Sequence, residues 1–327
     1  MPLAVIGDAF GPPETYQLRA FDPGPPQPGE VRVAIKAAGV SYVDVLTAMG
    51  QYQFKPPLPF IPGSEAAGVV EALGAGVTGL AVGDRVFCSG LGGLFAQANT
   101  FAADKLTRVP DAMSLEAAAV FPVNYMTAYY ALADRARARP GESLLVLGAA
   151  GGTGHAAVEV GKHLGLRVIA SASSAEKRGV ALEAGADAVV TTGAADWREQ
   201  VRAANGGAAI DIVFDPVGGD ATEPAFRSLG YDGRHLVIGF PAGIAALKTN
   251  LPLLKSASLI GVQMRDHALK RPREAEENRR KVMALAAKGI FAPRIARSYP
   301  LADYRAAMEA GFSGQAAGRI VLGLEEG

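Results

Sequence analysis

The sequence predicts an α/β chain in which a β-rich first domain is followed by a doubly wound parallel-sheet domain. Three observations carry this. From residue 141 onward, short apolar runs alternate with Ala-rich helical stretches. A glycine-rich turn joins the first of those runs to its helix. The residues before position 120 are instead dense in Gly, Pro and strand-like alternation.

In the first domain, Pro-Gly punctuation over 22–29 separates a hairpin-like segment from a strand at 31–36 (VRVAIK), which alternates as a half-buried strand does. Two further strands are expected at 67–71 and 84–88. The second domain supplies five runs, at 143–147, 167–170, 188–191, 211–214 and 235–238, each short and bounded by Gly, Asp or Pro. That spacing belongs to successive βα units and to a parallel sheet buried on both faces. After another apolar run at 259–262 come a charged helix at 273–288, a short helix at 301–310 and a last strand at 319–324. The boundaries expected are 1–122 for the first domain, completed by 266–327, and 123–265 for the second.

Composition restricts the partners. Lys plus Arg equals Asp plus Glu at 32 each, so net charge gives no reason to expect nucleic acid or an anionic membrane. The one cysteine, Cys88, excludes an internal disulfide and a cysteine-rich zinc site. Asp8 and Glu14 sit where a signal peptide would be basic and then apolar, and no apolar stretch reaches the length of a membrane span. The chain reads as cytoplasmic. His155, His163, His235 and His267 have no metal-like spacing.

The turn LLVLGAAGGTG at 144–154 is the most informative segment. Residues without side chains let backbone N–H groups approach a pyrophosphate, and the helix N-terminus adds partial positive charge. Ala150, Gly151, Gly152 and Thr153 are the expected contacts. The second run decides which dinucleotide binds. NAD-specific folds place an acid at its end for the ribose 2′-hydroxyl, whereas here it reads VIASASSAEKR over 168–178. Ser173 and Lys177 suit a 2′-phosphate, hence NADPH, and Arg178 offers a further cation. The alternative for Ser173 is a helix N-cap, and the two roles share geometry.

The motifs IPGSE (61–65), GVVE (68–71), GDRV (83–86), MTAY (126–129), AGAD (184–187) and FDPVGG (214–219), taken with the glycine turn, resemble the medium-chain dehydrogenase/reductase superfamily over nearly the full length. The resemblance implies a GroES-like β-barrel catalytic domain plus a Rossmann cofactor domain. Zinc members of that superfamily place a Cys, a His and a later Cys on the metal. Here Ser64 stands at the His position and the four-cysteine lobe is missing, so no metal is expected. What remains resembles the zinc-free quinone oxidoreductases, including zeta-crystallin-like proteins. The implied activity is hydride transfer from NADPH to a quinone or an activated alkene such as an enone. A 2-enoyl-CoA reductase of the same fold and a non-catalytic NADPH-binding protein are the alternatives. For the thioester reading, Lys55, Arg265 and Lys270 would have to form a basic rim.

By the same resemblance, Ser41 in GVSYVD replaces an Asn-type group near the nicotinamide, and Tyr52 matches an active-site tyrosine. Tyr52 either donates to the reduced acceptor or packs on Pro56 and Pro57. Thr127 is expected near the nicotinamide ribose, Gly239, Phe240, Val262 and Gln263 near its carboxamide, and Thr192 where relatives carry a tyrosine beside the adenosine phosphate. Arg319 is the basic residue available where an Arg of some relatives is replaced by SGQ at 313–315. Relatives also suggest a homodimer paired through the edge of the cofactor sheet.

Overall fold

The computed structural model describes residues 1–324. It forms two compact units: residues 1–123 with the chain from Ala292 onward, and residues 124–291.

The first unit is a mostly antiparallel β structure. Strands β1 (Leu3–Ile6) and β2 (Gln17–Ala20) make the expected hairpin pair. The main sheet is built on β3 (Glu30–Val40), which pairs with β4 (Glu65–Leu73) along one edge; β5 (Arg85–Ser89) and β7 (Thr107–Arg108) continue beyond β4. The other edge of β3 first takes β6 (Ala98–Ala102) and later a strand from the C-terminal segment. One strand can serve two partners along one edge because it bends, with register shifts at Arg32/Val33 and Ile35/Ala37. Val31, Val33 and Ile35 face the core in alternation, and from Ala37 to Val40 all four residues are buried. Phe60, Phe95, Tyr16 and Tyr304 fill the same core.

The second unit contains six parallel strands: β8 (Ser143–Leu147), β9 (Arg167–Ala172), β10 (Ala188–Thr191), β11 (Ile210–Asp215), β12 (Leu229–Val237) and β13 (Ser258–Gly261). Their order is β10-β9-β8-β11-β12-β13, so the sheet is wound outward from β8 in both directions. Ligands in such sheets bind at the carboxyl edge, where the winding reverses. Strand β8 is buried at every position, as its unbroken apolar run requires.

The return to the first unit begins later than position 266. Residues 266–291 pack on the second unit: the His267 ring stacks on Tyr130 with centroids 4.1 Å apart. Asn278 Nδ2 donates to Asp134 at 2.5 Å, and Phe291 lies 5.3 Å from the Tyr125 ring. The charged helix Pro272–Ala287 is therefore anchored through Asn278, Val282 and Ala286, its buried residues. From Ala292 the chain adds β14 (Ile295–Pro300), a strand that the sequence pattern did not predict, parallel to β15 (Arg319–Gly323), and β15 runs antiparallel to β3.

Candidate functional site

The glycine-rich turn has the build of an anion cradle. Gly148 leaves β8 at φ 56°, a conformation that favours glycine. A Cβ on Gly154 would lie 2.2 Å from the Gly148 carbonyl oxygen, so the helix can start this close to the strand only without one. Ala149 and Ala150 are buried, Gly152 and Thr153 half-buried, and Gly151 is the exposed N-cap of the helix Gly152–His163. The first N–H groups of that helix have no preceding turn to bond to and point along the dipole's positive end. Thr153 Oγ1 donates to Asn124 Oδ1 at 2.9 Å, and Asn124 is buried.

At the end of β9 the N-cap is Ser174, which accepts from the Lys177 amide at 3.2 Å. Ser173 is therefore not spent on capping. It is exposed, and Lys177 stands half-buried one turn into the helix Ala175–Glu183. Strands β9 and β10 run in register, with Thr191 opposite Ala172, and the Thr192 amide donates to the Ala172 carbonyl at 3.1 Å. Ser173 and Thr192 thus lie at neighbouring strand ends, with no acid among residues 171–175.

The loops after β11 and β12 are locked together beneath Gly239 and Phe240. Asp215 is buried and accepts from the Val217 amide (3.0 Å), the Gly218 amide (2.8 Å) and Thr222 Oγ1 (2.7 Å), and pairs with His235 Nε2 (3.1 Å). Burial opposes its ionisation, but His235, Gly218 and Thr222 together hold its carboxyl below the usual range. Gly218 and Gly219 have φ 73° and 59°, and a Cβ on Gly219 would meet the Ala242 carbonyl at 2.4 Å. Gly239 is half-buried and Phe240 exposed at this edge. The Val262 amide bonds to the Val237 carbonyl at 3.1 Å, so further contacts from Val262 fall to its carbonyl. Gln263 Oε1 caps its own helix by accepting from the Arg265 amide at 3.2 Å. Thr127 is half-buried on the helix Pro122–Tyr129, its hydroxyl unbonded among the described residues.

In the first unit, Ser41 caps the helix Tyr42–Ala48 in a reciprocal box with Asp44. Ser41 Oγ donates to Asp44 Oδ2 at 2.6 Å, and Ser64 also bonds that carboxyl. Burial pushes Asp44 up, while the Ser41 and Ser64 hydroxyls pull it back. Beside it, Glu65 accepts from Arg319 Nη2 at 2.9 Å and from the Val123 amide at 2.8 Å. Burial raises the Glu65 carboxyl and Arg319 opposes the rise. Arg319 passes over Gly39, where a Cβ would stand 3.1 Å from its Nη2. Arg319 is thus paired with Glu65. This cluster escaped sequence reading because its members lie far apart in the chain; a lone Glu after Pro-Gly-Ser was the one signal. Tyr52 is half-buried, and among the described residues only its amide is bonded, to the Leu46 carbonyl at 3.2 Å.

Two hydroxyls, an acid tied to both and an acid neutralised by Arg319 do not make a zinc donor set. Among the described residues no three His, Cys, Asp or Glu side chains converge on a metal position. No helix among the described residues is long and apolar enough to cross a membrane.

A doubly wound sheet with this turn, joined to a GroES-like unit, defines a nicotinamide-dinucleotide oxidoreductase of the medium-chain type. Residues 27–111 match the alcohol dehydrogenase GroES-like domain, and residues 152–285 the zinc-binding dehydrogenase domain. Quinone oxidoreductase-like protein 2 of Bos taurus is 41% identical over 75% of this chain and 71% of its own length. Quinone oxidoreductase of Rattus norvegicus is 32% identical over 89% of this chain and 88% of its own. The structure of Escherichia coli quinone oxidoreductase complexed with NADPH superposes with a TM-score of 0.88 at 30% identity, covering 98% of this chain and 99% of that one. The chain belongs to the quinone oxidoreductase family of the medium-chain dehydrogenase/reductase superfamily.

Proposed function

We propose that this protein is a zinc-independent reductase that uses NADPH to reduce a quinone or an activated alkene. One observation carries the cofactor choice: the acid-free end of β9, where Ser173 follows the strand beside the Thr192 end of β10 and Lys177 lies in the first turn of the next helix. A carboxylate there would repel a 2′-phosphate, whereas hydroxyls and an ammonium hold one. The E. coli neighbour complexed with NADPH supports the same choice. Ala150, Gly151, Gly152 and Thr153 receive the pyrophosphate on helix amides. Gly239, Phe240, the Val262 carbonyl and Gln263 border the nicotinamide, with Thr127 toward its ribose.

When bound, NADPH supplies the hydride, and the acceptor takes up one proton besides. Of the two candidate groups for that proton, the structure favours Tyr52. Ser41 has its hydrogen on Asp44 at 2.6 Å, so it serves to position the loop. The Tyr52 hydroxyl has no such commitment among the described residues. Lys270 is paired with Asp266 at 3.1 Å, which weakens the basic rim a CoA thioester would want. A cytoplasmic homodimer completes the reading, supported by Leu259, exposed on the edge strand β13.

The test follows NADPH oxidation with a benzoquinone, a naphthoquinone, an α,β-unsaturated ketone and an enoyl-CoA. Turnover of quinone or enone supports the proposal, and Tyr52→Phe should then lower kcat by about 10²-fold with the KM for NADPH unchanged. Preference for the enoyl-CoA moves the protein to thioester chemistry. Tight NADPH binding with no turnover on any acceptor points to a binding role.

A further inference from the structure

Beside the end of β9, three side chains form a hydrogen-bonded chain. Trp197 Nε1 donates to Ser171 Oγ at 3.0 Å, and Ser171 Oγ lies 2.8 Å from Thr192 Oγ1. Trp197 is 8% exposed and Ser171 fully buried, whereas Thr192 reaches the surface. An indole N–H can only donate, so the Ser171 oxygen is the acceptor in the first link. The single Ser171 hydrogen then needs an acceptor of its own, and water has no access to it. Among the described residues Thr192 Oγ1 is the oxygen within reach. Were Thr192 the donor instead, Ser171 would keep a buried O–H with nothing to bond, which folded proteins avoid. The chain therefore runs one way, from Trp197 through Ser171 to Thr192. Thr192 is left with its own hydrogen for an acceptor outside the protein.

That polarity matters for one ligand more than another. A ribose 2′-hydroxyl both donates and accepts, so it tolerates either orientation of Thr192. A 2′-phosphate at cellular pH chiefly accepts, and rewards a neighbour whose hydrogen already points outward. We infer that Trp197 and Ser171 act as a relay that fixes Thr192 as a donor to the 2′-phosphate of NADPH, which makes Trp197 a positioning residue for cofactor choice. The inference rests on the NADPH reading given above. Trp197 is the chain's one tryptophan, so its emission reports on this relay alone.

The test is a calorimetric Kd for NADPH and for NADH, on the full chain and three variants. Thr192→Val should weaken NADPH about tenfold and NADH less than about twofold, and Thr192→Ser should stay within about twofold of wild type for both. Trp197→Phe keeps an aromatic ring but lacks the N–H, and should reduce the preference for NADPH about threefold. In the wild type, tryptophan emission should shift with NADP⁺ and not with NAD⁺. Equal weakening of both cofactors by Thr192→Val would overturn the proposal. So would a Trp197→Phe protein of unchanged preference, since Thr192 would then act without the relay. A wild-type protein with no preference for NADPH is a separate failure, because it removes the phosphate site before any variant is compared.

Discussion

Asp215 in the cofactor unit is 2% exposed and Glu65 in the first unit 1% exposed, yet their carboxyl groups are shifted in opposite directions. Burial raises both carboxyls and weighs more on Glu65, and at Asp215 the surrounding donors outweigh it. Asp215 is enclosed by a turn that folds back on it and brings two amides and a hydroxyl, with His235 across the sheet. Glu65 has one guanidinium and one amide, and Asp44 nearby repels its charge. A buried acid stays ionised where the local backbone serves it, and holds its proton more readily where a single distant cation must do so.

Breaking the better-served acid should cost the most. Asp215→Ala would leave Gly218, Thr222 and His235 without their acceptor, a loss of about 4 kcal/mol in urea unfolding at pH 7. The sign with pH follows from a folded-state pKa held below the unfolded value. The stabilisation is present above about pH 4 and is lost as pH falls through the lower folded value. The gap between wild type and variant should therefore narrow on acidification below about pH 4.

Arg319→Met should come next, at about 3 kcal/mol near pH 8, because Glu65 then lies buried without its cation. Here the sign reverses. The folded pKa stands above the unfolded one, so the variant holds a proton when folded and loses stability as pH rises through that window. Its deficit should be smaller at pH 5 than at pH 8. A deficit independent of pH would mean that Arg319 acts by packing alone, and the contrast between the two acids would fail.

The smallest effect expected is Ser41→Ala, about 1 kcal/mol by thermal unfolding, from loss of the helix cap. Because the Ser41 hydroxyl is bonded to Asp44, the proposed role of Tyr52 predicts that kcat falls far less than with Tyr52→Phe.

The two units also differed in how much of them was legible. The central strands of the cofactor sheet were the most legible, because β8, β9 and β11 are buried almost throughout and show as short apolar runs; 143–147 and 188–191 match β8 and β10 to the residue. The glycine turn was legible for a related reason, since close backbone approach leaves glycine as its mark. The return segment was placed 26 residues too early, at 266 instead of 292. Its attachment depends on single side chains, Asn278 to Asp134 and His267 on Tyr130, which leave no periodic trace. Ser174 rather than Ser173 as cap is a one-residue distinction that composition cannot make, and it is the one that leaves Ser173 available. Arg319 stood in the sequence only as an available cation, because a sequence does not show its partner Glu65.

The most direct test of the account is the ratio of kcat/KM for NADPH over NADH, measured with one quinone acceptor for wild type and for Ser173→Asp. An acid-free β9 end predicts a wild-type ratio of about 10² or more, collapsing toward or below unity when the acid is restored. A wild-type ratio near one, unmoved by Ser173→Asp, would contradict it.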